Sequence, residues 1–247
     1  MIPYMRRKKI LAELKMKKLV YIEDLFKIFN NISGSTIRRD LKALEAEGYL
    51  DLLQGGAAKL RSGSYDIPIQ SKKRLHMVEK NRIAKYAASL VKDEEVIYID
   101  SGTTTLQMVR YLKGKKIKVI TSNTQVINEF QDGDFNCIFT GGEISSVLGS
   151  VKGPITERLL LELFFDKAFL GASGYTLESG INTPDLTEVN KKRVVKKHSK
   201  ETYILVDSSK ANKQTSCKCF DIDECIIITD KSNEILEKYA KFIVVPK

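Results

Sequence analysis

From residue 96 onward the chain alternates short apolar runs, at 96–99, 118–120, 136–139, 168–170, 203–206, 225–228 and 242–245, with stretches of helical character. Runs this short suit strands rather than helices, and strands joined through intervening helices lie parallel to one another. The alternation predicts an α/β fold, with a mostly parallel sheet covered by helices. Ligands of such sheets bind outside the carboxyl ends of the strands, so the residues just after each run are the first candidates for a site.

Residues 1–57 follow a different rule. A charged helix over 6–16 carries Ile10, Leu11 and Leu14, and Ile22, Leu25, Phe26 and Phe29 repeat at helical spacing. Asn30-Asn31 interrupts the pattern, and Ser33 can cap a third helix ending at Gly48, with the apolar stripe Ile37, Leu41 and Leu44. At 100° per residue Ser35, Arg39 and Lys42 point away from that stripe, with Thr36 and Arg38 on its flanks. This is the form of a recognition helix, although the spacing alone equally fits an amphipathic helix with a solvated basic face. The run 49–53 then turns at Gly55-Gly56, as the β-wing of a winged helix would. Charge agrees with a nucleic-acid partner. Residues 1–60 hold 12 Lys/Arg against 7 Asp/Glu, half of the chain's net +10 in about a quarter of its length.

The run Ser35-Thr36-Ile37-Arg38-Arg39-Asp40-Leu41, followed by Leu44-Glu45, Gly48 and Gly55-Gly56-Ala57, resembles the signature of DeoR-type bacterial repressors. The resemblance implies DNA contacts from Thr36, Arg38 and Arg39 and a structural role for Asp40. Together with the helical geometry it gives the candidate DNA-binding set Ser35, Thr36, Arg38, Arg39, Lys42 and Gln54. Two positions depart from the family pattern. Leu52 and Gln54 stand where the wing usually has an Arg and a His, and Tyr21 stands where a Ser or Thr normally caps the second helix.

Residues 58–74, with Ser62-Gly63-Ser64, Pro68 and Lys72-Lys73-Arg74, read as a linker between a DNA-binding domain at 1–57 and a sensor and oligomerisation domain at 75–247. In the sensor, Asp100, Ser101, Gly102, Thr103, Thr104 and Thr105 join the first run to a helix over 106–112. A glycine and several hydroxyls there suit a phosphate, or simply cap the helix. Further candidates are Thr121, Ser122 and Asn123, then Gly141 and Gly142, Gly171, Glu188, Lys192 and Lys210. These lie in the order seen in DeoR-type sensors, except that the family has Thr-Asn directly where this chain has Thr121-Ser122-Asn123. The resemblance implies a fold like ribose-5-phosphate isomerase and a phosphorylated sugar as effector, with its phosphate on residues 101–105 and positive charge from Lys192 or Lys210. The glycines also fit plain turns, Glu188 and Lys192 also fit a surface i,i+4 pair, and Lys191, Lys192, Arg193, Lys196, Lys197 and Lys200 read as a solvated helix face.

The alternative is a sugar-phosphate isomerase with an accessory DNA-binding domain, in which Glu188 and Lys192 shuttle protons. Against it, the acidic cluster that such an enzyme resemblance would require after Gly171 is replaced by Ala172-Ser173-Gly174-Tyr175. A third reading makes the second domain only an oligomerisation module. Cys137, Cys217, Cys219 and Cys225 lack the companions of a zinc site, so free thiols and no metal or cofactor are expected. No apolar run is long enough for a membrane span and the start lacks a secretory pattern. The expected protein is a cytoplasmic homo-oligomer, dimer or tetramer, with operator DNA and a phosphorylated sugar as partners.

Overall fold

A computed structural model describes residues 2–17, 19–46, 49–60, 69–130 and 135–246. The chain divides into two compact units, Met1–Ser71 and Lys72–Lys247.

In the first unit, α1 (Pro3–Lys17) leads to a short strand β1 (Leu19–Tyr21), then α2 (Ile22–Ile28), α3 (Gly34–Ala46), β2 (Leu50–Leu53) and β3 (Ala57–Leu60). The apolar stripes meet in one core: Ile10 and Leu14 of α1, Leu25 of α2, and Ile37, Leu41 and Leu44 of α3 are all buried. The wing is an antiparallel sheet in the order β1-β3-β2, and β1 is an element that periodicity did not indicate. Gly55 and Gly56 turn the hairpin at φ of +96° and +76°, a conformation open to glycine. The Glu45 carboxylate accepts the Leu52 N–H at 2.8 Å and fastens the wing to α3. Tyr21 precedes α2 without a side-chain cap; the Gly56 carbonyl instead accepts the Ile22 N–H at 2.8 Å. The expected end of the third helix at Gly48 lies outside the described residues.

The expected linker is partly structured. Its first residues, 58–60, belong to β3, and 69–73 form α4 (Ile69–Lys73), within which the division between the units falls. Ser62-Gly63-Ser64 and Pro68 lie outside the described residues.

In the second unit α5 (Met77–Ser89) precedes β4 (Val96–Ile99), α6 (Thr103–Met108), β5 (Lys118–Thr121), α7 (Val126–Glu129) and β6 (Asn136–Phe139). An antiparallel arm, β7 (Glu143–Ser145) and β8 (Ser150–Lys152), is followed by α8 (Pro154–Leu161) and β9 (Phe165–Gly171). Then come β10 (Gly174–Thr176), β11 (Gly180–Thr183), α9 (Leu186–Lys197), β12 (Ser199–Leu205), β13 (Cys217–Phe220), β14 (Ile226–Thr229), α10 (Glu234–Tyr239) and β15 (Lys241–Val244). Among the described residues the main sheet has seven strands in the order β15-β14-β12-β9-β4-β5-β6, every neighbouring pair parallel. All seven apolar runs of the sequence lie in it, shifted by a few residues at their ends. Both faces are covered. Ile97 and Ile99 pack with Ala84, Ala87 and Leu106 on one side, while Tyr98 packs with Phe165, Val189 and Val195 on the other. The small sheet β10-β11-β13 and the β7–β8 arm lie outside the alternation.

Candidate functional site

The outer face of α3 is built from its first turn. Ser33 Oγ accepts the Thr36 N–H at 3.3 Å and shares hydrogen bonds with the hydroxyls of Ser35 and Thr36 at 3.0 and 2.8 Å, so those hydroxyls are held at the helix start. Ser35, Arg38, Arg39 and Lys42 are exposed and Thr36 is half-buried. The Arg38 guanidinium stands over the Phe26 ring, 5.4 Å from its centre, whereas Arg39 and Lys42 make no ion pair or ring contact with the described residues. Asp40 points the other way. It is 2% exposed and paired with Arg6 and, at 3.2 Å, Arg7, which anchors α3 to α1. Gln54 is exposed in the turn of the wing.

In the second unit the carboxyl ends of β4, β9 and β12 carry two clusters of charge. The first surrounds Asp100 and Ser101. Helix α9 starts where the Asp185 side chain accepts the N–H groups of Thr187 and Glu188 at 2.9 and 3.1 Å, and its buried stripe includes Glu188, Lys191 and Lys192. Lys192 pairs with Asp100, whose carboxylate also accepts the Gly171 N–H at 3.0 Å. Lys191, 0% exposed, donates to Glu188 Oε1 at 2.9 Å, Ser150 Oγ at 2.7 Å and Ser101 Oγ at 3.2 Å. Burial opposes the charge on Asp100, but Lys192, Lys191 and the Gly171 N–H outweigh it and hold its carboxyl below the ordinary value. Burial likewise opposes charge on Lys192, and Asp100 and Glu188 overcome it, raising that lysine's pKa.

Three sequence readings are corrected here. Glu188 and Lys192 do not form a surface pair: Glu188 bonds Lys191 at i,i+3, and Lys192 turns to Asp100. The basic face of α9 is solvated at Arg193 and Lys197, half-buried at Lys196, which pairs with Glu224, and buried at Lys191 and Lys192; Lys200, though exposed, lies in β12 rather than on the helix. The helix after Asp100 begins at Thr103 and ends at Met108, with a 3-10 turn over Val109–Tyr111.

The loop 101–105 divides in two. Thr105 Oγ1 donates to the Asp100 carbonyl at 2.7 Å and accepts the Gly102 N–H at 3.0 Å, so it caps the helix. The hydroxyls of Thr103 and Thr104 make no hydrogen bond with the described residues, although each residue is 7% exposed. Thr121, Ser122 and Asn123 serve as scaffold. Thr121 Oγ1 donates to the Ile99 carbonyl at 2.7 Å, Ser122 Oγ shares a 2.8 Å hydrogen bond with Tyr98, and the Asn123 amide reaches the carbonyls of Asp100 and Gly102 at 3.3 and 3.4 Å. Gly142, at φ +135°, lies so close to Thr156 and the Lys152 carbonyl that no side chain fits, and Gly141 accepts from Thr156 Oγ1 at 2.7 Å. Both shape the corner into β7. The backbones of Gly171 and Gly102 face each other, since a Cβ on Gly171 would lie 3.6 Å from Gly102 Cα.

The second cluster stands on the other side of Gly171, at the end of β12, roughly 10 Å from the end of β4 by strand spacing. Lys210 follows Asp207 and lies in the field of Lys72, Lys213 and Lys80; burial first, then these lysines, against the opposing pull of Asp207, push its pKa down to about 8. Lys80, 3% exposed at the start of α5, is lowered to about 8, chiefly by burial and then by Lys72, with Asp207 and Glu79 opposing. Neither forms an ion pair with the described residues. The nearby carboxylates are engaged elsewhere: Asp207 accepts the Ser209 N–H at 3.0 Å, and Asp230 accepts the Ser208 N–H and hydroxyl at 2.6 and 3.0 Å. Sequence reasoning found Lys210 and missed Lys80, Lys191 and Ser150. Lys191 was legible from helical phase, whereas nothing local marks Ser150, which β8 delivers.

The DeoR-like helix-turn-helix domain model matches residues 6–62, and the DeoR C terminal sensor domain model matches residues 75–231. The chain belongs to the DeoR family. Among its DeoR-family relatives, an uncharacterized HTH-type transcriptional regulator FruR of Bacillus subtilis (strain 168) is 33% identical, over 97% of this chain and 96% of that one. The lactose phosphotransferase system repressor of Lactococcus lactis subsp. lactis is 34% identical, over 98% and 97%. Both are named as regulators, as befits the family. This DeoR-family chain is a DNA-binding transcriptional regulator, and the isomerase alternative is not favoured. Among solved structures, the ribose 5-phosphate isomerase a of Methanocaldococcus jannaschii is 21% identical, with a TM-score of 0.40, over 55% of this chain and 54% of that one. The chain thus spans about half of that enzyme, a likeness too weak to carry an argument about activity. Among the described residues no helix is long and apolar enough to cross a membrane, and no group of His, Cys, Asp and Glu is placed to hold a metal ion.

Proposed function

We propose that this DeoR-family protein is a cytoplasmic repressor of a sugar-metabolism operon that reads its operator through α3 and is controlled by a phosphorylated sugar bound at the carboxyl edge of the main sheet. In this reading Arg39, with Lys42, reaches base edges and phosphates; Ser35 and Thr36 hold the helix start; Arg38 is steadied by Phe26; and Gln54 lies at the wing tip. The effector's phosphate sits between Thr103, Thr104 and the Lys80–Lys210 pair, and its hydroxyls face Ser101 and the Asp100–Glu188–Lys191–Lys192 network across Gly171. The observation that carries the reading is the contrast in charge: the first cluster is balanced by its own ion-paired carboxylates, while buried Lys80 and half-buried Lys210 form no ion pair with the described residues and feel Asp207 only through its field. An anion supplies what they lack. The name of the Lactococcus relative, a repressor of a lactose phosphotransferase system, supports a sugar-linked signal.

The protein acts as a homo-oligomer, dimer or tetramer. A single small module makes a DNA interface of only about 600–1,000 Å², and exposed Ile155, Leu159, Leu161 and Phe164 on and just after α8 offer apolar surface for association.

The test selects DNA sites from a random pool with the full-length protein, then titrates DNA binding and thermal stability with matched phosphorylated and unphosphorylated sugars. A phosphorylated member should shift both, since a ligand of the folded state stabilises it by RT ln(1 + [L]/Kd). A Thr104→Val variant, which leaves the Thr105 cap in place, should still bind the selected site while losing the response. If no phosphorylated sugar shifts either measurement, the effector reading fails.

A further inference from the structure

The Lys80 ammonium donates to the backbone carbonyl of Lys72. That carbonyl lies in the last turn of α4 and also accepts the Leu75 N–H, at a long 3.3 Å. The chain then turns into α5 through His76, which sits at φ +54°, a left-handed conformation that residues with a side chain enter at a cost. The division between the two units falls inside α4, between Ser71 and Lys72. One lysine therefore belongs both to the wall of the anion pocket and to the end of the segment through which the chain passes from one unit to the other.

We propose that Lys80 is the coupling residue of the sensor: it ties the carboxyl end of α4 while the pocket holds no anion, and it releases that tie when an effector phosphate takes its ammonium. The inference rests on the effector reading given above. A neutral carbonyl is the weaker of the two acceptors, because hydrogen bonds from an ammonium to a phosphate are charge-assisted at both ends. Lys210 and Lys72 bring further positive charge to the same place, so the phosphate that draws Lys80 away also relieves the crowding of cations. With Lys80 gone, the Lys72 carbonyl loses its charged donor, the Leu75 hydrogen bond to it is a long one, and the turn at His76 leaves its left-handed conformation more readily. A ligand shifts an equilibrium only by its unequal affinity for two states. Here the states differ in whether Lys80 faces the carbonyl or the anion.

Amide hydrogen exchange on the full-length protein, followed in peptides spanning 69–76, tests this with inorganic phosphate as the probe in wild type, Lys80→Met and Lys210→Met. In wild type, phosphate should speed exchange at Leu75 and its neighbours, while weakening binding to a pool-selected DNA site by about 5-fold or more. Lys80→Met should exchange fast with or without phosphate and bind DNA at one fixed affinity. Lys210→Met should keep the slow exchange of unliganded wild type and respond only at higher phosphate. Phosphate binding that leaves the 69–76 peptides unchanged overturns the coupling and leaves the effector pocket standing, as does a Lys80→Met protein whose exchange there matches wild type. If Lys210→Met binds phosphate as wild type does, or neither binds it, the pocket itself is misplaced and the coupling falls with it. Thermal melting of Lys80→Met must show a folded protein, so that its fast exchange reports the lost tie and not a lost fold.

Discussion

Two pairs of lysines at one edge of one sheet have opposite electrostatics. Lys191 and Lys192 are buried against carboxylates, and the charge of Lys192 is reinforced. Lys80, buried, and Lys210, half-buried, form no ion pair with the described residues, and burial, against the pull of Asp207, lowers their pKa values to about 8. The first pair completes a balanced interior, while the second has no ion-paired carboxylate among the described residues. Paired charges hold this protein together, and in the proposed function the unpaired ones serve an anionic partner. The DNA-reading unit repeats the division in miniature, with Asp40 locked between Arg6 and Arg7 and its neighbour Arg39 exposed.

The contrast breaks most visibly at Lys192. Lys192→Met strands a fully buried Asp100 carboxylate and should lower stability by about 3–5 kcal/mol, read by urea unfolding at pH 7. A loss under 1 kcal/mol would mean that Asp100 is not held as described. Next in size is Arg39→Ala, which should weaken binding to a selected DNA site by about 1–3 kcal/mol and binding to random DNA far less; Lys9→Ala should affect both alike. Equal losses on both DNAs for Arg39→Ala would remove it from sequence reading. Lys210→Met should leave unfolding stability unchanged or raised, yet lower phosphate affinity about tenfold, or ~1.4 kcal/mol. Calorimetric titration reads the affinity, and a stability loss like that of Lys192→Met would erase the distinction between the two pairs.

The smallest effect is a proton count. Near pH 8 Lys80 and Lys210 are each about half charged, and a bound phosphate raises both pKa values, so binding should take up about one proton in total. Calorimetry in buffers of different ionisation heat measures that uptake, and a value of zero contradicts the assignment. Without ligand the sign is also fixed. Below pH 8 both lysines are charged in the folded and unfolded states. Between about 8 and the ordinary 10.5 only the unfolded chain keeps its protons, so this pair makes stability rise with pH across that window.

Much of the architecture was legible because periodicity reports burial. The seven strands announce themselves as apolar runs, and Ile37, Leu41 and Leu44 announce the face of α3. The small sheets did not, since β7, β8 and β10 are too short to show a period and are fixed by partners distant in sequence. The candidate site was legible where it rests on local chemistry, as in the helix cap now seen at Thr105, and misleading where it depends on helical phase. Glu188 and Lys192 look paired at four residues apart, but Asp100, nearly a hundred residues away, claims Lys192 through the sheet. Lys80 was invisible because its meaning lies in the absence of a carboxylate, and a sequence displays what is present.

The Gly56 carbonyl that receives the Ile22 N–H gives the first unit a particular route of assembly. Helix α2 has only seven residues, fewer than a helix needs to persist alone in water, and its cap arrives from a turn more than thirty positions later. The helix cannot be finished before the hairpin closes. A ribosome that has delivered residues 1–46 has made α1 and α3 but not a stable α2, so the reading head becomes competent in one late step, when the wing folds over.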